Sequence, residues 1–376
     1  MVKRIYLDHN ATTPLDLRVR GRMNAVLDLE VGNPSSLHSF GRRARRVLED
    51  ARAEAALALG VKDRELVFTA SATEANNLAL FGLAAAAPKS RRRILASPIE
   101  HPSILAPLES LAASGFVVEW LPVDRRGVVD VEKACELVDE DCAMLTMMWV
   151  NNELGTIQPV SQLCERCFQV GVPFHSDAVQ ALGKHPISLA REGLTSASFS
   201  AHKANGPMGV GLLFLRTEQR IQAQLIGGGQ ERERRAGTEN LVSAVGMAAA
   251  LSLAIEEQKT RQASLKELDE HLRRELSTRI SHAVLNSADA ARVPGSLSLR
   301  VPSLNGETAL MRLDLAGFAV SLGSACSSGS AEASHVLRAI GLSLADNHAS
   351  LRVSLGHGNN KTEVEAFVKA LADIAN

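Results

Sequence analysis

The sequence has almost no net charge: 41 Lys and Arg stand against 42 Asp and Glu, a formal balance of -1. No broad basic field is available to neutralise a phosphate backbone, which argues against a nucleic-acid partner. The two short basic runs, Lys89-Ser90-Arg91-Arg92-Arg93 and Arg42-Arg43-Ala44-Arg45-Arg46, read as a solvated loop and a helix face. Long uncharged apolar runs are also missing, so no stretch reads as a membrane span, and Met1-Val2-Lys3-Arg4 passes straight into structured-looking sequence with no secretory signal. Cysteines number five, an odd count in no dense framework. That usage fits a reducing cytoplasm rather than a disulfide-stapled secreted protein. Cys164 and Cys167 form a C-x-x-C inside a helical pattern, but no second pair completes a zinc site, and no metal is expected. Neither an internal repeat nor a low-complexity tract is present.

What is present is a chain of 376 residues, 45% hydrophobic, enough for a large core and two domains. After an entry arm over 1–14, helices are expected at Leu15–Leu29 and Gly41–Leu59. Strands then alternate with helices. The strands are Glu65–Thr69, Arg93–Ser97, Val117–Val123, Met144–Val150, Pro173–Asp177, Ala197–Ser200 and Gly209–Leu215; the helices are Thr73–Ala87, Ser103–Ala113, Val131–Val138 and Val160–Val170. This alternation predicts an α/β fold with a mostly parallel, seven-stranded sheet covered on both faces, and ligands beyond the strand ends. The glycine-rich run 227–238 breaks the pattern, and an interrupted helical stretch, Leu241–Ile280, leads on to a smaller α+β unit. There the strands are Ser296–Val301, Ala319–Leu322 and Leu351–Leu355, with helices Glu307–Leu315, Ser334–Ile340 and Thr362–Ile374. The expected division is a large domain over 15–258 and a small domain made of 1–14 and 259–376.

Three stretches carry chemistry. Ser200-Ala201-His202-Lys203 presents a lysine between two strands; His175-Ser176-Asp177-Ala178-Val179-Gln180 places an aspartate and a glutamine past a strand; Ser71-Ala72-Thr73-Glu74-Ala75-Asn76-Asn77 opens a helix. A lysine for a Schiff base, an aspartate for a ring nitrogen and a helix start for a phosphate are the parts that hold pyridoxal 5′-phosphate. Together with Val150-Asn151-Asn152-Glu153-Leu154-Gly155 and Gly323-Ser324-Ala325-Cys326-Ser327-Ser328-Gly329-Ser330, these stretches resemble the group I, NifS/IscS-type cysteine desulfurases of the class V aminotransferase family. The similarity runs from Tyr6-Leu7-Asp8 to Ser354-Leu355-Gly356.

The resemblance implies a fold-type I pyridoxal-phosphate enzyme. By it, Lys203 carries the cofactor, Asp177 holds the pyridine nitrogen, and Gln180 donates to the ring's phenolate oxygen. His101 stacks over the ring, and Ala72, Thr73, Ser200 and His202 line the phosphate. Thr238 reaches the phosphate of the other subunit, which implies a homodimer. Asn152 lies near cofactor and substrate, and Arg352 grips the substrate carboxylate. Cys326 is the nucleophile that takes sulfur from L-cysteine, leaving L-alanine and a persulfide, with His101 a candidate acceptor of its proton. Gly, Ser and Ala surround Cys326, which suits a loop that attacks and then carries sulfur away. A sulfur-acceptor protein such as an iron–sulfur scaffold, or a thiolation pathway for cofactors or tRNA, is the implied destination. The same fold serves selenocysteine lyases and other class V enzymes, and a non-catalytic sulfur-carrier partner is the rival from another class. Lys203 and Cys326 together speak for an enzyme.

Overall fold

The computed structural model describes residues 4–189, 193–302, 304–323 and 333–375. The first strand, β1 (Ile5–Tyr6), belongs to the arm. Next come β2 (Leu66–Thr69), β3 (Arg93–Ala96), β4 (Val117–Trp120), β5 (Cys142–Thr146), β6 (Phe174–Asp177), β7 (Ser196–Ser200) and β8 (Gly211–Leu215). These form one seven-stranded sheet in the order β2-β8-β7-β6-β5-β3-β4. Strand β8 is antiparallel to both of its neighbours and every other pairing is parallel, so β8 alone runs against the rest of that sheet. The central strands are buried along their whole length, as a sheet covered on both faces requires. Helices Ser39–Leu59, Ala72–Ala86, Pro102–Ala113, Val160–Val170 and Leu241–Glu256 supply much of the cover.

A second core lies around a four-stranded sheet formed from β9 (Val284–Leu285), β10 (Ser296–Arg300), β12 (Ser321–Leu322) and β13 (Ser350–Ser354). Leu268, Leu272 and Leu276 of helix Gln258–Arg279 and Val364, Phe367 and Leu371 of helix Lys361–Ala375 pack with it. Strand β11 (Phe318–Ala319) pairs in parallel with β1. Asp8 then bridges to Ser354, and Thr13 N–H donates to the His202 carbonyl at 2.8 Å, so the arm passes from the second core to the Lys203 loop.

The predicted seven-stranded sheet is present, and the differences are local. The strand expected over Ala319–Leu322 is two strands: residues on either side of Val320 join different sheets, β11 with β1 and β12 with β13. Strand β4 stops at Trp120 because Pro122 has no N–H to continue the ladder. Strand β5 runs over Cys142–Thr146 rather than Met144–Val150. The stretch Leu241–Ile280 is two helices meeting at 67°. Two short elements, β9 and the helix Leu344–His348, have too few residues to show a period.

The glycine-rich run folds back through three consecutive non-glycine residues with positive φ, Glu231 (49°), Arg232 (57°) and Glu233 (65°). What holds this conformation is buried: Glu231 and Arg52 form a two-pronged ion pair, 2.9 Å on each arm, and Glu231 also accepts from the Phe68 N–H at 3.1 Å. Exposed Glu233 makes no hydrogen bond that offsets its left-handed backbone. Glu233→Gly is therefore expected to stabilise the protein, by about 1 kcal/mol. Urea unfolding of the two proteins checks this; an unchanged or lower midpoint contradicts it.

Candidate functional site

The parallel strands deliver their carboxyl ends to one edge of the sheet, and the residues of interest follow those ends. Asp177 ends β6, and His101 and Asn152 come after β3 and β5. Lys203 comes after β7, and the turn after β2 opens the helix at Ala72. Ser71 caps that helix, accepting from the Glu74 N–H at 3.1 Å, while Glu74 accepts from the Ala70 N–H at 2.8 Å. The N–H groups of Ala72 and Thr73, in the first turn, have no partner within the helix. Strand β8 presses on this turn so closely that a Cβ on Gly211 would lie 2.4 Å from the Ser71 carbonyl carbon.

Asp177 is buried. One of its oxygens accepts from Asn76 Nδ2 at 2.8 Å and the other from the Val179 N–H at 3.0 Å. Asn76 also donates to Ser103 Oγ at 2.8 Å, and its Oδ1 faces His175 Nε2 at 3.1 Å. An amide oxygen only accepts, so the hydrogen-bond network assigns the proton of neutral His175 to Nε2. Ser103 continues the chain to His101: His101 Nδ1 accepts from the Ser103 N–H at 3.1 Å and lies 2.8 Å from Ser103 Oγ. His101 is thus also the cap of helix Pro102–Ala113. Burial is the main force lowering its pKa; Asp177 opposes it, and Lys203, His335 and Arg352 add to it. Burial thus favours the neutral imidazole, with Nδ1 accepting from the Ser103 N–H.

Lys203 Nζ donates to the carbonyls of Asn10 (2.7 Å) and Ala11 (2.6 Å). Gln180 Nε2 donates to the same Asn10 carbonyl at 2.9 Å. Asn10 in turn bonds Asn152, Ser296 and Ser354. Arg352 on β13 is 2% exposed, so it is no surface strand-end residue. It donates to Asp8 Oδ1 at 2.8 Å and, more weakly, to the Asn152 carbonyl at 3.4 Å, and its buried Nε has no partner among the described residues. Ser200 is buried at the end of β7, and His202 Nδ1 lies 3.1 Å from Thr12 Oγ1, its pKa lowered to about 4 chiefly by burial.

Thr238 stands apart. It is exposed and lines a different cavity, with Thr69, Ala70 and Gly209. Cys326 lies outside the described residues, but its flanks do not: a Cβ on Gly323 would lie 2.7 Å from Glu153 Oε2, and Ser334 Oγ donates to that same oxygen at 2.6 Å. Gly323 and Ser334 thus both lie close to Glu153, next in sequence to Asn152. Burial raises the pKa of Glu153, while Ser334, His335 and Arg352 oppose the shift. Cys164 and Cys167 are buried in the core of the large sheet, and burial pushes the Cys167 thiol up to about 12. Among the described residues no cluster of metal-ligating side chains occurs.

The structure adds site residues to which sequence reasoning gave no role: Asp8, Asn10, Asn76, His175 and Lys184. The signals were present. Asn76 and His175 lie inside motifs already singled out, and Asp8 and Asn10 sit in the polar run of the arm.

The class V aminotransferase model matches residues 5–367. Cysteine desulfurase IscS of Dictyoglomus turgidum is 40% identical over 374 residues, covering all of this chain and 95% of that protein. A solved structure titled NifS-like protein superposes with a TM-score of 0.93 at 37% identity, covering 99% of both chains. Another, titled SspA in complex with cysteine, gives 0.81 at 30% identity over 93% of this chain and 98% of that one. The chain belongs to the class V aminotransferases, within the NifS/IscS-type cysteine desulfurases. The family works with pyridoxal 5′-phosphate, and the residues here fit that group. A buried carboxylate, a primary amine that donates to two main-chain carbonyls, and a tightly backed helix start converge on one edge, beside the buried Arg352 guanidinium.

His175 supplies a test of this network. Burial lowers its pKa to about 3, so the folded state keeps it neutral while the unfolded state gains a proton below about pH 6.5. Its contribution is complete above that pH and is lost as pH falls toward 3. Wild type is expected to lose stability relative to His175→Gln by about 1.4 kcal/mol per pH unit between about pH 5.5 and 4.5. Urea unfolding at several pH values reads the difference; parallel profiles would show that His175 protonates in the folded state.

Proposed function

We propose that this chain is a pyridoxal-phosphate-dependent cysteine desulfurase that converts L-cysteine to L-alanine and leaves the sulfur as a persulfide on Cys326. The convergence of Lys203 and Gln180 on the Asn10 carbonyl, on the sheet edge that also carries Asp177, is the observation that carries the reading. The cofactor, bound to Lys203 as a Schiff base, supplies an electron sink that weakens bonds to the substrate's α and β carbons. Asp177, kept in place by Asn76 and the Val179 N–H, would hold the pyridine nitrogen. Gln180 would donate to the phenolate oxygen. Ala72, Thr73, Ser200 and His202 serve the phosphate, with the helix start as its positive end.

Arg352 takes the substrate carboxylate on its planar fork, and Asn152 borders both groups. Lys203, as a free amine, would move protons at the substrate's α carbon. His101, its pKa lowered by burial, is the side chain that takes the Cys326 proton. The sulfur leaves the substrate's β carbon for Cys326 Sγ, and the proton bookkeeping closes: one thiol and one cysteine become one persulfide and one alanine. A division into a cofactor-holding unit over 15–258 and a unit of 1–14 and 259–376 is supported by the two largest apolar cores, although Val293 packs with the first and Val336, Leu337 and Ile340 pack on Ile99 and Leu154.

A homodimer suits the exposed Thr238 and the apolar side chains left at the surface, Leu37 and Ile226 among them. In it, Thr238 serves the partner's phosphate. The sulfur goes on to an acceptor such as an iron–sulfur scaffold protein, or to thio-cofactor or tRNA synthesis. A cytoplasmic setting agrees with free, buried thiols and with no single described helix long and apolar enough to cross a membrane.

The test is alanine and sulfide release from L-cysteine with a thiol reductant. Wild type is expected to release the two in equal amounts, and both Lys203→Ala and Cys326→Ser to fall by at least about a hundredfold. Retained sulfide release by Cys326→Ser would remove Cys326 from the reaction. Activity on selenocysteine alone would reassign the enzyme as a selenocysteine lyase.

A further inference from the structure

We infer that Lys184 is a positioning residue: its ammonium locks the amide of Gln180 and the side chain of Asn10, so that Gln180 Nε2 and Lys203 Nζ meet at one place in a field of positive charge. The inference rests on the proposed seating of the cofactor at Lys203 and extends it to a residue that makes no contact with Lys203 through a hydrogen bond of its own.

Lys184 follows Gln180 by four residues, in the turn after β6. Its side chain borders the cavity that Lys203, His9 and Thr13 also line. The residue is partly exposed, but its ammonium is turned inward. Nζ donates to Gln180 Oε1 at 2.6 Å and to Asn10 Oδ1 at 2.8 Å. A cation bound to an amide oxygen settles which end of that amide is which: Gln180 must present its NH₂ to the other side. On that side lies the Asn10 carbonyl, which also receives Lys203. The same ammonium fixes Asn10 Oδ1, and so leaves Asn10 Nδ2 to Asn152 and Ser296.

Among the described residues Lys184 has no carboxylate partner. Its two partners are neutral amide oxygens, and the charges that act on it most are Lys203 and Arg352, with His9 influenced in turn. Farther out, a second cleft that Lys184 borders carries Lys259, Lys266 and Arg273 opposite Asp269 and Glu270. An enclosed, unpaired cation is a poor way to stabilise a fold, because its desolvation is not offset by a counter-charge. Burial, with the two neighbouring cations acting in the same direction, accordingly lowers its pKa to about 7. A methionine would fill the same volume without that penalty. The arrangement makes sense as a device acting on Lys203. Both the positive field and the fixed Gln180 donor disfavour a proton on the nitrogen that Lys203 contributes to the cofactor link.

The experiment uses the full-length protein loaded with pyridoxal phosphate, without cysteine. The yellow absorbance is titrated against pH in wild type, Lys184→Met and Lys184→Gln, and cofactor affinity is measured for each. Lys184→Met is expected to raise the midpoint of the titration by about one pH unit, a tenfold gain in proton affinity. It should also weaken cofactor binding about tenfold. Lys184→Gln keeps a neutral donor and should fall between. A midpoint and affinity in Lys184→Met equal to those of wild type would overturn the inference. So would failure of both variants to fold, which would mark the residue as structural. A wild type that never turns yellow refutes the seating at Lys203 and this inference with it. If wild type is yellow but inert toward cysteine, the proposed reaction falls while the titration still decides the role of Lys184.

Discussion

The site depends on one main-chain group, the carbonyl of Asn10. Lys203 and Gln180 both donate to it, and the Asn10 side chain ties the arm to Asn152, Ser296 and Lys184. A carbonyl has two lone pairs and fixed geometry, so two donors on it are held at a set separation. The arm reaches that position because β1 pairs with β11 and Asp8 bridges to Ser354. The second core therefore places a group against the lysine that extends from the first. Neither core makes the site alone.

The remaining residues are placed by sheet direction. Because β8 alone is reversed, the ends of β3, β5, β6 and β7 deliver His101, Asn152, Asp177 and Lys203 to one edge. A continuous polar chain then links the ends of β3 and β6 through the helix after β2: His101 to Ser103, Ser103 to Asn76, and Asn76 to both Asp177 and His175. Each member is buried or nearly so, and a break at any one leaves a polar atom unsatisfied in low dielectric. Glu100, fully buried with one oxygen bonded to the Met148 N–H and the other orphaned, has its pKa raised well above the usual carboxylate range by burial. Its main-chain carbonyl accepts from His335, on the far flank of the Cys326 segment.

Much of this was legible in the sequence because the large sheet is buried on both faces. Apolar runs such as Leu66-Val67-Phe68 and Gly211-Leu212-Leu213-Phe214-Leu215 announce such strands, and helices of about three turns between them announce parallel connections. The lysine, aspartate and glutamine were legible because they follow those strands directly. What stayed hidden depends on pairing between distant segments. Val320 divides one apparent strand between two sheets, a choice made by β1 and β13 and not by the local pattern. Asn10 looks like any polar residue in an arm, and Lys184 like any solvated lysine, until the arm is laid across the loops after β6 and β7. The left-handed turn at Glu231 was equally silent, because Arg52, its buried partner, lies on a helix far away in sequence.

The central claim is that this edge seats pyridoxal phosphate on Lys203 and on no other lysine. Borohydride reduction of the loaded protein, followed by digestion and mass mapping, tests it most directly. Two lysines with amines in one polar cluster make the result informative. The account predicts a reduced pyridoxyl-phosphate adduct on the peptide containing Lys203, with the Lys184 peptide unmodified. An adduct on Lys184, or none on either peptide, would contradict it.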